Sequence, residues 1–169
     1  MSKHRLRRAV FPGTFDPVTL GHLDIIQRGS VLFDEIIIMV GQNPEKTDLF
    51  SPEERLRMIE EQIRDFPNVS VKYHTGLTLD FVHAANAGVL LRGIRDTADL
   101  RSELQQANTN LIVGGVETLF LMTKDRLALV SGSIIKQIVS LGGHEAEGLL
   151  RLIPPEVAEH LKRKLRNKK

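Results

Sequence analysis

A chain of 169 residues, 41% apolar and 26% charged, is long enough for one globular domain that buries roughly two-thirds of its unfolded surface. It has no cysteine, which excludes disulfide staples, Cys-ligated zinc, iron–sulfur clusters and thiol nucleophiles, and apolar runs such as Ile36–Val40 fall far short of the roughly 20 residues a bilayer span needs. The net charge of +2 is unevenly spread: four Lys/Arg lie in residues 1–8 and six in 162–169, so the body 9–161 is net acidic and any phosphate-binding cations inside it must be individually placed. The expected organisation is a basic N-terminal extension 1–8, one domain 9–161 and a basic, solvated tail 162–169. No long apolar segment follows the basic start, so a soluble, cytoplasmic protein without a membrane or nucleic-acid partner is expected.

In chain order, Arg8–Phe11 reads as a strand stopped by Pro12-Gly13, and Leu20–Leu32 as a helix with Leu20, Leu23, Ile25 and Ile26 on a broad apolar face. Glu35–Val40 is the second strand. Ser51-Pro52-Glu53-Glu54 combines an N-cap serine, proline at N1 and a glutamate at N3, and the helix it opens carries Leu56, Ile59 and Ile63 at helical spacing. A strand Val69–Tyr73, a helix from Thr78 to Ala87 stopped by Gly88, and a strand Val89–Leu91 follow. A polar helix from about Thr97 to Ile112 leads to a strand Thr118–Met122. Ser133–Leu141 reads as a helix stopped by Gly142-Gly143, and Pro154-Pro155 opens a terminal amphipathic helix with Val157, Leu161 and Leu165. Such alternation predicts an α/β fold: a single-domain, doubly wound five-stranded parallel sheet with helices on both faces. Ligands of such sheets bind beyond the carboxyl ends of the strands, where strand order reverses.

The stretch Val10-Phe11-Pro12-Gly13-Thr14-Phe15-Asp16-Pro17-Val18-Thr19-Leu20-Gly21-His22 runs from the first strand into the first helix. It is neither a P-loop nor a G-x-G-x-x-G turn, and no G-x-x-x-x-G-K-[ST] occurs anywhere in the chain, which disfavours a Walker-type NTPase. Gly13 and Thr14 offer backbone N–H groups, and His22 in the first helical turn offers a ring N–H to a phosphoryl oxygen as its charge grows. The plainer alternative makes Thr19 an N-cap and His22 a surface or core histidine. Arg92-Gly93-Ile94-Arg95 at the exit of the fourth strand suits a fork-like clamp on phosphates, against the alternative of two surface arginines paired with Asp96 and Asp99. Lys46 lies on the same edge but by itself reads as a surface lysine. Ser131-Gly132-Ser133, with Lys136 one turn on, suits either an anion-binding nest or an ordinary serine N-cap. Asp80, His83 and His74 are isolated and suit a solvated helix face better than metal ligation.

Together these stretches resemble the phosphopantetheine adenylyltransferase family of the T-x-G-H nucleotidyltransferase superfamily. The likeness runs from Ala9–Asp24 through Asn43-Pro44-x-Lys46, Phe50-Ser51-x-Glu53-Glu54-Arg55, Arg92–Arg95 and Glu117-Thr118-x-Phe120-Leu121-Met122 to Leu141-Gly142-Gly143. The resemblance implies a dinucleotide-binding-like fold, a homohexamer, and transfer of AMP from ATP, with Mg²⁺, to 4′-phosphopantetheine. By matching position it implies that Thr14, Phe15, His22, Gly93, Ile94, Arg95, Glu103 and the segment Leu127, Ala128, Leu129, Val130, Ser131, Gly132, Ser133 meet ATP. It further implies that His22 stabilises the transition state, with Lys46 and Arg95 also catalytic, and that Thr14, Lys46, Thr78 and Arg92 hold the acceptor. The chain departs from the family pattern at Asp99-Leu100-Arg101-Ser102-Glu103, where both usual aromatics are missing, at Gln106 and Leu111, and at Leu127–Gly132. A nucleotidyltransferase with another phosphorylated acceptor such as nicotinate mononucleotide, and a non-catalytic nucleotide-binding module, are therefore the alternatives.

Overall fold

A computed structural model describes residues 6–42, 47–127, 130–143 and 146–166. Five strands form one all-parallel sheet in the order β3-β2-β1-β4-β5. They are β1 (Arg8–Gly13), β2 (Glu35–Val40), β3 (Val69–Tyr73), β4 (Val89–Ile94) and β5 (Glu117–Met122). The central strands are near-continuous apolar runs because both faces are covered. Ala9, Phe11, Ile36, Ile38 and Leu91 point to one core, while Val10, Ile37, Met39 and Leu90 point to a smaller one on the opposite face. The first core is completed by Ile25 and Ile26 of α1 (Leu20–Leu32), Met58 and Ile59 of α2 (Pro52–Gln62), Ile135 and Val139 of α5 (Gly132–Ser140) and Val157 and Leu161 of α6 (Pro155–Arg166). The second receives Leu79 and Val82 of α3 (Thr78–Ala84). The expected doubly wound sheet with helices on both faces is thus the observed one.

The chain runs outward from β1 through β2 to β3, then returns to β1's other side with β4, so strand order reverses between β1 and β4. There the sheet also splits. The β1–β4 ladder covers only Ala9↔Val89 and Val10↔Leu90, whereas β1 stays paired with β2 to Gly13↔Val40 and β4 with β5 to Ile94↔Met122. Pro12 has no N–H to give a ladder, and the pairing with β4 ends before it. The parting strands leave a crevice beyond their carboxyl ends.

Several boundaries differ from the sequence reading. β1 continues through Pro12-Gly13 because β2 still pairs with it, and β4 continues to Ile94, so Arg92 lies within the strand while Arg95 directly follows it. α3 stops at Ala84, ahead of Gly88, where Asn86 adopts φ 50°. α4 (Thr97–Gly114) runs past Ile112 to its left-handed cap, Gly115, at φ 63°. The basic ends are not simply solvated where described. Arg7 pairs with Asp34 at 2.9 Å and Arg8 with Glu35 at 2.7 Å. α6 extends to Arg166, and its Lys164 reaches Glu54 at 2.6 Å and sits over the Phe50 ring. Among the described residues no helix is long and apolar enough to cross a membrane.

Candidate active site

Two adjoining crevices open at the split. The smaller, about 300 Å³, is lined by Thr19, Gly21 and His22 of the β1–α1 passage, by Gly93 and Arg95, and by Val130, Ser131 and Gly132 before and at the start of α5. The larger, about 720 Å³, lies beneath α4 and is lined by Gly41, Gln42, Thr78, Gln106, Asn110 and Thr118 among others. Pro12, Gly13, Thr14, Arg92 and Glu103 line both. The two cavities therefore meet over the end of β1.

His22 occupies the third position of α1 and closes a reciprocal cap with Thr19. The Thr19 hydroxyl accepts the His22 N–H at 3.4 Å, and His22 Nδ1 accepts the Thr19 N–H at 3.0 Å. An Nδ1 that accepts must be unprotonated, so the neutral ring carries its proton on Nε2, the nitrogen left to donate. Phe15, whose own ring is only 1% exposed, packs on the imidazole with centroids 4.8 Å apart. Burial pushes the His22 pKa down to about 4, and the nearby Arg95 and Arg92 charges push the same way. At neutral pH His22 is an uncharged hydrogen-bond donor. The plain N-cap reading of Thr19 holds, and the same cap fixes the orientation of the His22 ring, which lines the smaller crevice.

Arg92 of β4 and Arg95 just beyond its end are held by two carboxylates one turn apart on α4. Arg92 donates from Nε to Glu103 at 2.7 Å, from Nη2 to the other Glu103 oxygen, and from Nη1 across the split to Pro12 O at 2.8 Å. Arg95 forks onto Asp99 at 2.6 and 2.8 Å and reaches toward Val130 O at 3.4 Å. The Arg95 fork keeps Asp99 below the ordinary carboxylate range. The pairing of Arg95 with Asp99 realises one half of the salt-bridge alternative, while Arg92 pairs with Glu103 instead of Asp96, and both arginines still line the crevices. An arriving phosphate would compete with acids already in place.

Of the sequence candidates, Thr14, His22, Thr78, Arg92, Gly93, Arg95, Glu103, Val130, Ser131 and Gly132 all line one crevice or both. Others do not present side chains there. Phe15 lies behind His22, and Ile94 is 1% exposed in the core, its carbonyl taken by Thr123 N and Oγ1 at 2.8 and 3.0 Å. Leu127 ends a 3-10 turn, Asp125–Leu127, and its carbonyl accepts from Val130 N at 3.1 Å, while Ser133 is exposed in the first turn of α5. Lys46, Ala128 and Leu129 fall outside the described residues. Ser131 is the N-cap of α5, accepting from Ile134 N at 3.1 Å, and Lys136 is spent on Asp16 at 3.1 Å and Thr47 O at 3.2 Å instead of on an anion nest. The departure at Gly132 has a steric reason: a Cβ there would come within 3.1 Å of Asp16 O, so the glycine lets α5 close against the Asp16 backbone.

The sequence reading gave no role to Asp16, Arg55 or Gln42. Asp16 is 3% exposed and accepts from Leu49 N and Phe50 N at 2.8 and 2.9 Å. A buried aspartate just after a strand was the available signal. Arg55 is fully buried on the apolar face of α2, an anomaly visible in the sequence only as an arginine three and four residues before Met58 and Ile59.

A parallel sheet split at its reversal point, with a helix-borne imidazole and two arginines around two joined cavities, is the site of a nucleotide-handling α/β protein. Residues 10–138 match the cytidylyltransferase-like family, a span of well over half the chain. Curated relatives refine this. A phosphopantetheine adenylyltransferase from a Picosynechococcus species is 46% identical over 154 residues, covering 90% of this chain and 84% of that one. Another, from Dictyoglomus thermophilum, is 44% identical over 155 residues, covering 91% and 92%. The chain belongs to the phosphopantetheine adenylyltransferase family, as the opening motif suggested. Among solved structures, a putative nicotinate-nucleotide adenylyltransferase from Vibrio parahaemolyticus superposes with a TM-score of 0.65 over 93% of this chain and 99% of that one, at 15% identity, a likeness of fold.

Proposed function

We propose that the protein transfers AMP from ATP to 4′-phosphopantetheine, giving dephospho-coenzyme A and pyrophosphate. The observation that carries this reading is the pair of crevices that meet at Gly13, Thr14, Arg92 and Glu103. Two reactants seated one in each bring an acceptor phosphate against the α-phosphorus of the nucleotide, which is the alignment an in-line displacement needs. A phosphate monoester is already largely dianionic near neutral pH, its second pKa being about 6. Its oxygen attacks the α-phosphorus, the bond to the bridging β-phosphate oxygen breaks, and pyrophosphate leaves with that electron pair. No general base and no covalent enzyme intermediate are required.

In this reading the nucleotide occupies the smaller crevice, with Gly93, Arg95, Glu103 and the Val130–Gly132 turn around it, and the acceptor lies in the larger one against Thr78 and Arg92; by resemblance Lys46 also holds its phosphate. Thr14 serves both. His22 donates its Nε2–H to an α-phosphoryl oxygen whose charge grows in the transition state, and its low pKa keeps it a neutral donor at working pH. Among the described residues no three His, Asp or Glu side chains converge as a metal cage. In this reading Mg²⁺ arrives on the triphosphate, where it would neutralise charge on the leaving pyrophosphate. The exposed apolar residues Leu104, Leu111, Ile112 and Val113 of α4 support a homo-oligomer, the hexamer in our reading, and a cytoplasmic setting fits the soluble substrates. Pairing of Lys164 with Glu54 and of Lys162 with Glu159 speaks against a nucleic-acid role for the basic end.

The test is pyrophosphate release by purified protein with Mg²⁺ and ATP. Release is expected only when 4′-phosphopantetheine is added. Equal release without it, or release driven instead by nicotinate mononucleotide, would remove the substrate assignment.

A further inference from the structure

The least economical side chain in the molecule is Arg55. It stands on the face of α2 that also buries Met58 and Ile59, and it is 0% exposed. Burying a guanidinium there costs desolvation that an apolar side chain of similar volume would avoid, and its Nε has no hydrogen-bond partner. The two terminal nitrogens show what the placement achieves. Nη1 donates to Thr14 O and to Gly41 O, both at 3.0 Å, and Nη2 lies 3.3 Å from Asp48.

Those two carbonyls belong to the residues just after β1 and β2, at the floor of the site. Thr14 lines both crevices, and Gly41 lines the larger one alone. One planar nitrogen therefore ties the two strand exits together beneath the point where the cavities meet, while Asp48 ties in the segment that returns to α2. The smaller crevice is braced by other means. The Thr19–His22 cap fixes α1, and Asp16 with Lys136 fixes α5 against the Leu49–Phe50 turn.

We propose that Arg55 is a positioning residue for the acceptor: it touches no substrate, and it sets the Thr14 and Gly41 backbone so that the acceptor phosphate is aligned at the junction of the two crevices. The inference rests on the adenylyltransferase reading, because it needs an acceptor whose KM can be measured. A lysine ammonium has donors for the carbonyls but lacks the second terminal nitrogen of the planar fork that reaches Asp48. Methionine fills the volume without donating.

The experiment measures steady-state kinetics and direct ATP binding for the wild type, Arg55→Lys and Arg55→Met, with thermal unfolding to establish the folded fraction. Wild-type turnover that requires 4′-phosphopantetheine is the control for the underlying reading, and its absence would sink that reading independently of Arg55. With that control satisfied, Arg55→Met is expected to raise the acceptor KM about tenfold or more and to lower kcat as well, while the ATP Kd stays within about threefold. Arg55→Lys is expected to recover part of the acceptor KM. A merely structural role predicts something else: kcat scaled down with the folded fraction and both substrates' constants unchanged. That result, or equal weakening of ATP and acceptor, overturns the proposal. Should both Arg55 variants fail to fold, Asp48→Asn decides it. A rise of about threefold in the acceptor KM at constant ATP Kd supports the positioning role, and an unchanged acceptor KM overturns it.

Discussion

The two halves of the sheet that flank the split are built on different principles. On the β1–β2 side, α2 buries Arg55, Met58 and Ile59, its N-terminus is closed by the Ser51–Glu54 capping box, and α6 is clamped onto it through Lys164 and Glu54. On the β4–β5 side, α4 is longer by seven residues, yet none of its 18 residues is buried, and its hold on the active-site rim is through Glu103–Arg92 and Asp99–Arg95. One side is a packed frame and the other a charged flank. The difference suits two jobs: geometry is supplied by groups that cannot move without exposing the core, and charge by groups that can exchange one anion for another.

Substitutions of like chemistry on the two sides should separate the frame from the flank. The largest expected effect is Ile59→Ala on α2, where the side chain is 0% exposed: a loss of about 2–5 kcal/mol in stability, read from the denaturant midpoint. A loss under about 1 kcal/mol there would show that the frame is looser than its burial implies.

Next comes His22→Ala, expected to lower kcat by about 10²–10³-fold with ATP binding largely retained, in pre-steady-state measurements on folded protein. The same residue sets a pH dependence. Its folded pKa, about 4, lies below its ordinary value of 6.5, so between those values the unfolded chain binds the extra proton. The His22 contribution to stability is therefore complete above about 6.5 and is lost as pH falls toward 4. Denaturant midpoints at pH 5 and 7.5 should differ more for the wild type than for His22→Asn. An equal difference would mean that the imidazole is not held neutral by its surroundings.

The smallest effect is expected on α4. Ile112 is 83% exposed, and Ile112→Ala should change subunit stability by no more than about 0.5 kcal/mol. A cost matching that of Ile59→Ala in protein diluted to single subunits would break the comparison, whereas a cost seen only in the assembled protein would mark α4 as part of the oligomer's interface.

Much of this was legible in the residues. The element types, the parallel sheet and the position of the site near the first strand follow from local signals: apolar period, proline and glycine stops, and a serine–glutamate cap three residues apart. Ten of the candidate site residues do line the crevices, because a motif at a strand exit is carried there by the fold itself. That the side chains of Ile94 and Phe15 are buried was not legible, because which way a side chain turns is known only once the faces are known. Each sits beside a crevice-lining residue, Gly93 or Thr14, with its own side chain turned away into the core. What the sequence alone determines is thus which segments become strands and helices and which chemical groups they carry, since those preferences act within a few residues. Only the tertiary structure decides that the sheet parts beyond the Val10–Leu90 pair, that Arg92 and Arg95 are already forked onto α4 carboxylates, and that Arg55 and Lys136 are held by backbone and by Asp16. Those outcomes join groups as far as 120 positions apart, and a hydrogen bond at that separation depends on the register of every element between them.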